Sequence, residues 1–124
     1  MSGGSVSGAG GRSGAGTSGA GARPRTIITA DPELDDLNSM IRLLAYSNEL
    51  EIEGLIYASS RFHWKGDGAG TTFFLPDREY DEPKTSWRWA PGERFIDDAI
   101  DAYALVHENL LVHDPGYPAP AALR

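Results

Sequence analysis

Residues 26–59 read TIITADPELDDLNSMIRLLAYSNELEIEGLIYAS, and this stretch decides the fold. It opens with a β-branched run at 26–30, which predicts a buried strand that ends before Pro32. Apolar residues then recur at helical spacing, so the sequence predicts an amphipathic helix over about 36–47. A second apolar run at 52–59 predicts another strand. Strand, helix and strand within about 35 residues are typical of a βαβ unit with parallel strands.

The rest of the chain adds a long loop and a second helix to this unit. Residues 61–89 contain glycines, prolines and aromatic residues without a regular period, which is typical of a functional or disordered loop. Pro91 is predicted to open the second helix, because proline is favoured at the first helical position. Residues 110–112 could start a third strand. The sequence therefore predicts an α/β fold, a βαβ unit plus a further helix, as the N-terminal part of a larger parallel-sheet domain.

Composition separates a tail from this segment. Residues 1–22 are almost entirely Gly, Ser and Ala, which predicts a disordered tail before a partial domain at 23–124. The net charge of −7 argues against nucleic acid or an anionic membrane as a partner. The absence of cysteine excludes disulfides and thiolate sites. No apolar run suits a signal peptide or a membrane span, so the cytoplasm is the default location. The oligomeric state is not predicted.

Three carboxylates mark the candidate site. Asp31 follows the first predicted strand, and Asp35 and Asp36 open the following helix. Ligands of open α/β sheets bind beyond the carboxyl ends of the strands, so these side chains are expected to converge there. Oxygen ligands of this kind favour a hard cation, Ca²⁺ or Mg²⁺. The alternative is structural: Asp35 or Asp36 is the N-cap of the helix, and Asp31 serves in the preceding turn.

The segment RPRTIITADPELDDLNSMIRLLAYSNELEIEGLI resembles the aspartate-rich N-terminal motif of the inosine–uridine nucleoside hydrolases. With FIDDAIDAYALVHENLLVHDPGYPAPAALR, it is more specifically similar to the nucleoside-hydrolase-like domain of the Sde182 cellulose-binding family. The resemblance implies that Asp31 ligates Ca²⁺ and is the general base for the attacking water. It also implies that Asp35 contacts the ribose hydroxyls and that Asp36 ligates Ca²⁺.

The sequence departs from the nucleoside hydrolase motif at three places. Thr29 stands where the motif has its leading aspartate, and Glu33 replaces the motif glycine. The second strand is followed by Ser59-Ser60 rather than by the Gly-Asn of true nucleoside hydrolases. The first departure removes a carboxylate from the cluster, the second adds a charge at its mouth, and the third removes an expected sugar contact.

Further residues have two readings each. His63 and Trp64 could bind substrate in the same crevice, with His63 a proton donor to the leaving group, or could belong to ordinary loop packing. The aromatic residues of the loop and its flanks could form a sugar-stacking platform or a small hydrophobic core; they are Phe73, Phe74, Tyr80, Trp87 and Trp89. His107, near the predicted end of the second helix, is expected to serve in packing.

Two functions from different classes follow from these features. The first is hydrolysis of an N-glycosidic bond in a nucleoside-type substrate by a Ca²⁺-bound water, in a domain that this chain contains only in part. The alternative is a non-catalytic carbohydrate-binding protein, for cellulose or a related polysaccharide, on the same fold. Retention of Asp31, Asp35 and Asp36 favours the enzyme, and Thr29 favours the binding protein. A third possibility is a truncated product with no activity.

Overall fold

The structure, a computed structural model, describes residues 22–74, 76–77 and 79–124. The predicted tail at 1–22 lies outside this part of the chain, except for its last residue. No helix among the described residues is both long enough and apolar enough to cross a membrane.

The first half of the described chain forms the predicted βαβ unit. Strand β1 (Arg25–Ala30) is followed by helix α1 (Leu34–Ala45), a 3₁₀ turn (Ser47–Glu49) and strand β2 (Glu51–Tyr57). The two strands pair in parallel, with Ile28 opposite Leu55. This confirms the α/β class and brings the carboxyl ends of both strands to one edge of the sheet.

Helix α1 differs from the prediction at both ends. It starts at Leu34 instead of residue 36, because Glu33 already has the extended backbone of an N-cap residue. It ends at Ala45, and the chain tightens into the 3₁₀ turn. The hydroxyl of Ser47, which is fully buried, donates a hydrogen bond of 2.8 Å to the carbonyl of Leu44. This side-chain bond satisfies one of the free carbonyls at the helix end.

Helix α2 (Phe95–His113) corrects two predictions. It does not begin at Pro91, because Gly92 adopts a positive φ of 81° and the chain turns there before the helix starts. Residues 110–112 are not a third strand but the last turn of this helix. The helix ends before Asp114-Pro115, because proline disfavours helical backbone at the residue before it, and Asp114 is extended.

The hydrophobic core lies between the sheet and the two helices. The buried residues of α2 recur at helical spacing and so form one face of the helix. Met40 and Leu44 of α1 belong to the same core cluster. Trp89 belongs to this core rather than to a sugar platform: its ring centroid lies 6.1 Å from that of Tyr57 and 5.8 Å from that of Phe95. The buried residues that α2 contributes are Phe95, Ile96, Ala99, Ile100 and Tyr103.

A second, smaller aromatic cluster holds the long loop together. Trp64 packs edge-on against Phe73 and also contacts Tyr80, which contacts Trp87. Trp64 and Trp87 also exchange backbone hydrogen bonds of 3.0 and 2.8 Å. A Cβ on Gly66, whose φ is +78°, would overlap the carbonyl oxygen of Thr85. Tyr80 is buried as the loop-core alternative expects, and Trp64 is buried as its loop-packing alternative expects.

The end of β2 is tied to the start of α2. The hydroxyl of Tyr57 donates a 2.6 Å hydrogen bond to the carboxylate of Asp97 and accepts a 3.1 Å bond from the Asp97 backbone N–H. These bonds and the guanidinium of Arg94, 2.6 Å away, lower the pKa of Asp97 below its ordinary value. Asp97 therefore connects the end of β2 to the start of α2.

Candidate active site

The candidate site lies beyond the carboxyl ends of the two parallel strands. Asp31 directly follows β1, and its side chain is buried, with 7 % of the residue exposed. His63 follows β2 by six residues and is 9 % exposed. Because both strands end at the same edge of the sheet, the two side chains meet although 32 positions separate them in the sequence.

Asp31 is held in place by the start of α1. Its backbone N–H donates a 2.9 Å hydrogen bond to Asp36 Oδ2, and its own Oδ1 accepts a 3.1 Å bond from the backbone N–H of Glu33. The second bond is the side-chain turn that aspartate favours two residues ahead. The N-cap of α1 is Glu33, so neither Asp35 nor Asp36 takes the N-cap position. Asp31 does serve in the turn, as the structural alternative expected.

The structure places two of the three predicted site residues next to each other. Asp31 and Asp36 are adjacent through the bond just described. Asp35 is exposed, and its Oδ1 accepts a 3.0 Å bond from the backbone N–H of Asp36. The three residues do not form a group whose ligand atoms all lie within 4.8 Å of one another in the described chain. Asp35 is therefore exposed beside Asp36 and outside the group of close ligand atoms.

A different trio lies close enough to share one ion. Asp31, Glu33 and His63 each offer a ligand atom within 4.8 Å of the other two. His63 Nδ1 lies 4.0 Å from Asp31 Oδ2 and 3.8 Å from Glu33 Oε2. The sequence predicts that His63 lies in the same crevice, but it does not predict contact between His63 and Glu33. The signal that could have paired them is that both residues follow the carboxyl ends of parallel strands.

His63 is oriented by the turn after β2. The hydroxyl of Ser60 accepts hydrogen bonds from the backbone N–H groups of Phe62 (3.2 Å) and His63 (3.1 Å). The backbone N–H of Ser60 donates a 2.7 Å bond to the carbonyl of His63. This turn fixes the backbone of His63. Its Nδ1 atom is buried and has no hydrogen-bond partner in the part of the chain that the structure describes.

A groove runs from this turn along the long loop. Its volume is about 400 Å³, and it is open to solvent on one side. The exposed ring of Phe73 supplies its aromatic surface, whereas Trp64 and Tyr80 are buried behind it. Trp64 is therefore part of the groove wall. The polar lining of the groove comes from Ser59, Ser60, Arg61 and Asp67.

The departures from the nucleoside hydrolase motif have structural outcomes. Glu33 places a carboxylate beside Asp31, where a glycine would offer none. Thr29 is exposed and pairs with Ile56 in the sheet register. His107 packs against Tyr103 within α2, with ring centroids 5.5 Å apart and planes tilted by 50°, and the helix continues for six residues beyond it.

The donor atoms can be compared with the Ca²⁺ that the resemblance implies. Calcium takes six to eight oxygen ligands in proteins. Asp31 and Asp36, the two positions implied as ligands, are adjacent through the bond from the Asp31 backbone N–H to Asp36 Oδ2, and both side chains offer the carboxylate oxygens that Ca²⁺ takes. The group closest to Asp31 also includes a nitrogen, His63 Nδ1.

Comparisons with known proteins identify one family. A family model described as cellulose-binding Sde182, nucleoside hydrolase-like domain, matches residues 25–124. No curated protein and no solved structure matches the chain. The match covers both strands, both helices and the site residues described above. The chain therefore belongs to the family of the Sde182 nucleoside hydrolase-like domain.

Proposed function

We propose that this domain hydrolyses an N-glycosidic bond in a nucleoside-type substrate, with Asp31 as the general base. The observation that carries the proposal is the position of Asp31: a buried carboxylate, beyond the carboxyl end of a parallel strand, anchored by the helix that follows. Ligands of open α/β sheets bind at this edge. Family membership supports the nucleoside hydrolase-like character of the site.

Asp31 activates a water molecule by accepting its proton; the water oxygen bonds to the anomeric carbon as the C–N bond breaks, and the nucleobase leaves with the electron pair and takes a proton from solvent. N-glycoside cleavage passes through an oxocarbenium-like state, so attack by water is assisted by a base fixed beside the reacting carbon. The hydrogen bond from Glu33 N–H to Asp31 Oδ1 fixes the carboxylate and leaves Oδ2 to face the site. The bond from Asp31 N–H to Asp36 fixes the backbone beneath it.

A divalent cation completes the proposed site. Asp31 and Asp36 are the residues that would hold it, and Ca²⁺ is the ion that the resemblance implies. When bound, such an ion would orient the attacking water and lower its pKa, which would assist its deprotonation by Asp31. Asp35, exposed at the start of α1, is proposed to accept hydrogen bonds from the sugar hydroxyls.

The test of this proposal is release of free ribose. The full chain is incubated with a panel of purine and pyrimidine nucleosides in the presence of Ca²⁺, and reducing sugar is measured over time. We expect ribose release from at least one nucleoside. Release from none of them would contradict the proposal.

A second function, carbohydrate binding, is supported by the groove beside the site. The groove offers the exposed face of Phe73 next to hydroxyl and charged side chains, which is the combination that sugar rings recognise. The family name includes cellulose binding, which suggests a carbohydrate ligand. Ser60 belongs both to the groove and to the turn that holds His63. One chain could therefore bind a carbohydrate in the groove and a nucleoside in the neighbouring site.

The Phe73→Ala variant tests this second function. Removing the ring deletes the exposed stacking surface of the groove, so we expect pull-down on insoluble cellulose to fall at least about fivefold, a loss of roughly 1 kcal/mol. The matched control is Val112→Ala, which changes an exposed apolar residue at the end of α2. Equal retention of the Phe73→Ala variant and the wild type would contradict binding in this groove.

A further inference from the structure

The starting observation is the unsatisfied nitrogen of His63. This residue is nine-tenths buried, and its Nδ1 atom has no hydrogen-bond partner among the described residues. Buried polar atoms are nearly always partnered in proteins, so such an atom calls for an explanation such as an ion or a water molecule. The atom is directed at two carboxylates, those of Asp31 and Glu33.

The distances favour an ion between the three side chains. Separations of 4.0 and 3.8 Å exceed the N–H···O range of about 2.7–3.2 Å, so neither carboxylate accepts a direct hydrogen bond from His63. Ligand atoms about 2.0–2.2 Å from one tetrahedral ion lie about 3.3–3.6 Å apart. The two observed separations are a few tenths of an ångström longer than this. A small rotation of the Glu33 and Asp31 side chains therefore brings the three donors to the spacing that a single small ion requires.

We infer that Asp31, Glu33 and His63 form a site for a first-row transition-metal ion of the Zn²⁺ or Co²⁺ type. One imidazole nitrogen with two carboxylates suits these ions, whereas Ca²⁺ prefers oxygen alone. Three protein ligands are also the number that catalytic zinc sites use. The inference builds on the proposed hydrolytic site, since Asp31 serves in both, and it names two further ligands and a different class of ion.

The charges and the chain path support this assignment. The carboxylates of Asp31 and Glu33 repel each other at this separation, and a cation held between them offsets that repulsion. Glu33 is the N-cap residue of α1, and His63 lies in the turn that Ser60 stabilises. The backbone of each donor residue is therefore fixed by a different element. Such preorganisation lowers the entropy lost when the ion binds.

Calorimetric titration of the full chain with Zn²⁺ and with Ca²⁺ tests the inference. We expect Zn²⁺ to bind at least about tenfold more tightly than Ca²⁺. His63→Gln is expected to lower the affinity for Zn²⁺ at least about tenfold. Even the substitution of a residue that only hydrogen-bonds to a metal ligand lowers metal affinity by roughly 10- to 100-fold. The same variant should leave Ca²⁺ affinity nearly unchanged. Glu33→Gln, a change at a more exposed side chain, should weaken both ions.

Co²⁺ provides a second readout that does not depend on heats of binding. Its visible absorption depends on the ligands, so the wild type should show bands that His63→Gln changes or loses. The matched control is His113→Gln at the exposed end of α2, which should leave Zn²⁺ affinity and the Co²⁺ spectrum as in the wild type. Glu33→Gln repeats the test if His63→Gln does not fold.

The outcomes separate this inference from the proposed function. Tighter binding of Ca²⁺ than of Zn²⁺, or Zn²⁺ affinity that neither His63→Gln nor Glu33→Gln alters, would overturn the inference alone. Zn²⁺ binding that depends on His63, together with no ribose release under either ion, would contradict the hydrolase while supporting the metal site.

Discussion

Replacing Asp31 by asparagine is expected to lower the rate of ribose release by about 10²–10⁴-fold, the usual contribution of a general base. The amide cannot accept the proton of the attacking water. Its oxygen can still accept the hydrogen bond that Glu33 N–H donates to Asp31 Oδ1, so the turn is expected to persist. Initial rates on the nucleoside that the wild type hydrolyses best measure the effect, and circular dichroism verifies the fold.

The control for this variant is Asp98→Asn, which removes an exposed carboxylate from α2. Its rate should equal that of the wild type. Cellulose pull-down, measured in parallel, should be the same for the wild type and for Asp31→Asn, because stacking on Phe73 does not use the carboxylate. An Asp31→Asn variant that hydrolyses nucleosides at the wild-type rate would place the base elsewhere.

Replacing Trp89 by alanine is expected to lower the free energy of unfolding by about 3–5 kcal/mol. The ring is 4 % exposed and fills the space between Tyr57 and Phe95, so its removal leaves a large cavity where the long loop joins the core. Domains of this size are stabilised by only about 5–15 kcal/mol, so the variant could lose much of its stability. Urea denaturation followed by circular dichroism gives the difference.

Two variants calibrate the Trp89 result. Trp89→Phe keeps an aromatic ring in the core and should lose less stability than the alanine variant. Phe74→Ala removes an aromatic ring that is 49 % exposed and should change stability by less than about 0.5 kcal/mol. If Trp89→Ala lost no more than Phe74→Ala, Trp89 would not be a core residue.

The βαβ unit could be predicted because its signals are local. The apolar runs of β1 and β2 and the helical spacing of α1 each show within about a dozen residues. The end of α2 could not be read in the same way. Residues 110–112 are apolar and suit a short strand or a buried helix equally, and only the packing of Leu110 against the core decides between them.

The site was predictable in part for the same reason. Asp31 and Asp36 were found from a short motif, and the structure makes them neighbours. The approach of His63 to Glu33 depends on the register of two strands and on a turn that Ser60 stabilises, neither of which has a local signal. Trp89 was likewise assigned to the loop by its position in the sequence, although its contacts are with the core.

The double hydrogen bond between Tyr57 and Asp97 has a consequence for how this family could diversify. These bonds hold the two ends of the segment at 58–94 close together, so the positions at which this segment leaves and rejoins the core are fixed. The entropy of closing a loop grows only with the logarithm of its length, and doubling a flexible loop costs about 0.6 kcal/mol. Insertions between Ala58 and Arg94 could therefore change the shape of the crevice while lowering the stability of the βαβ unit that carries Asp31 only slightly.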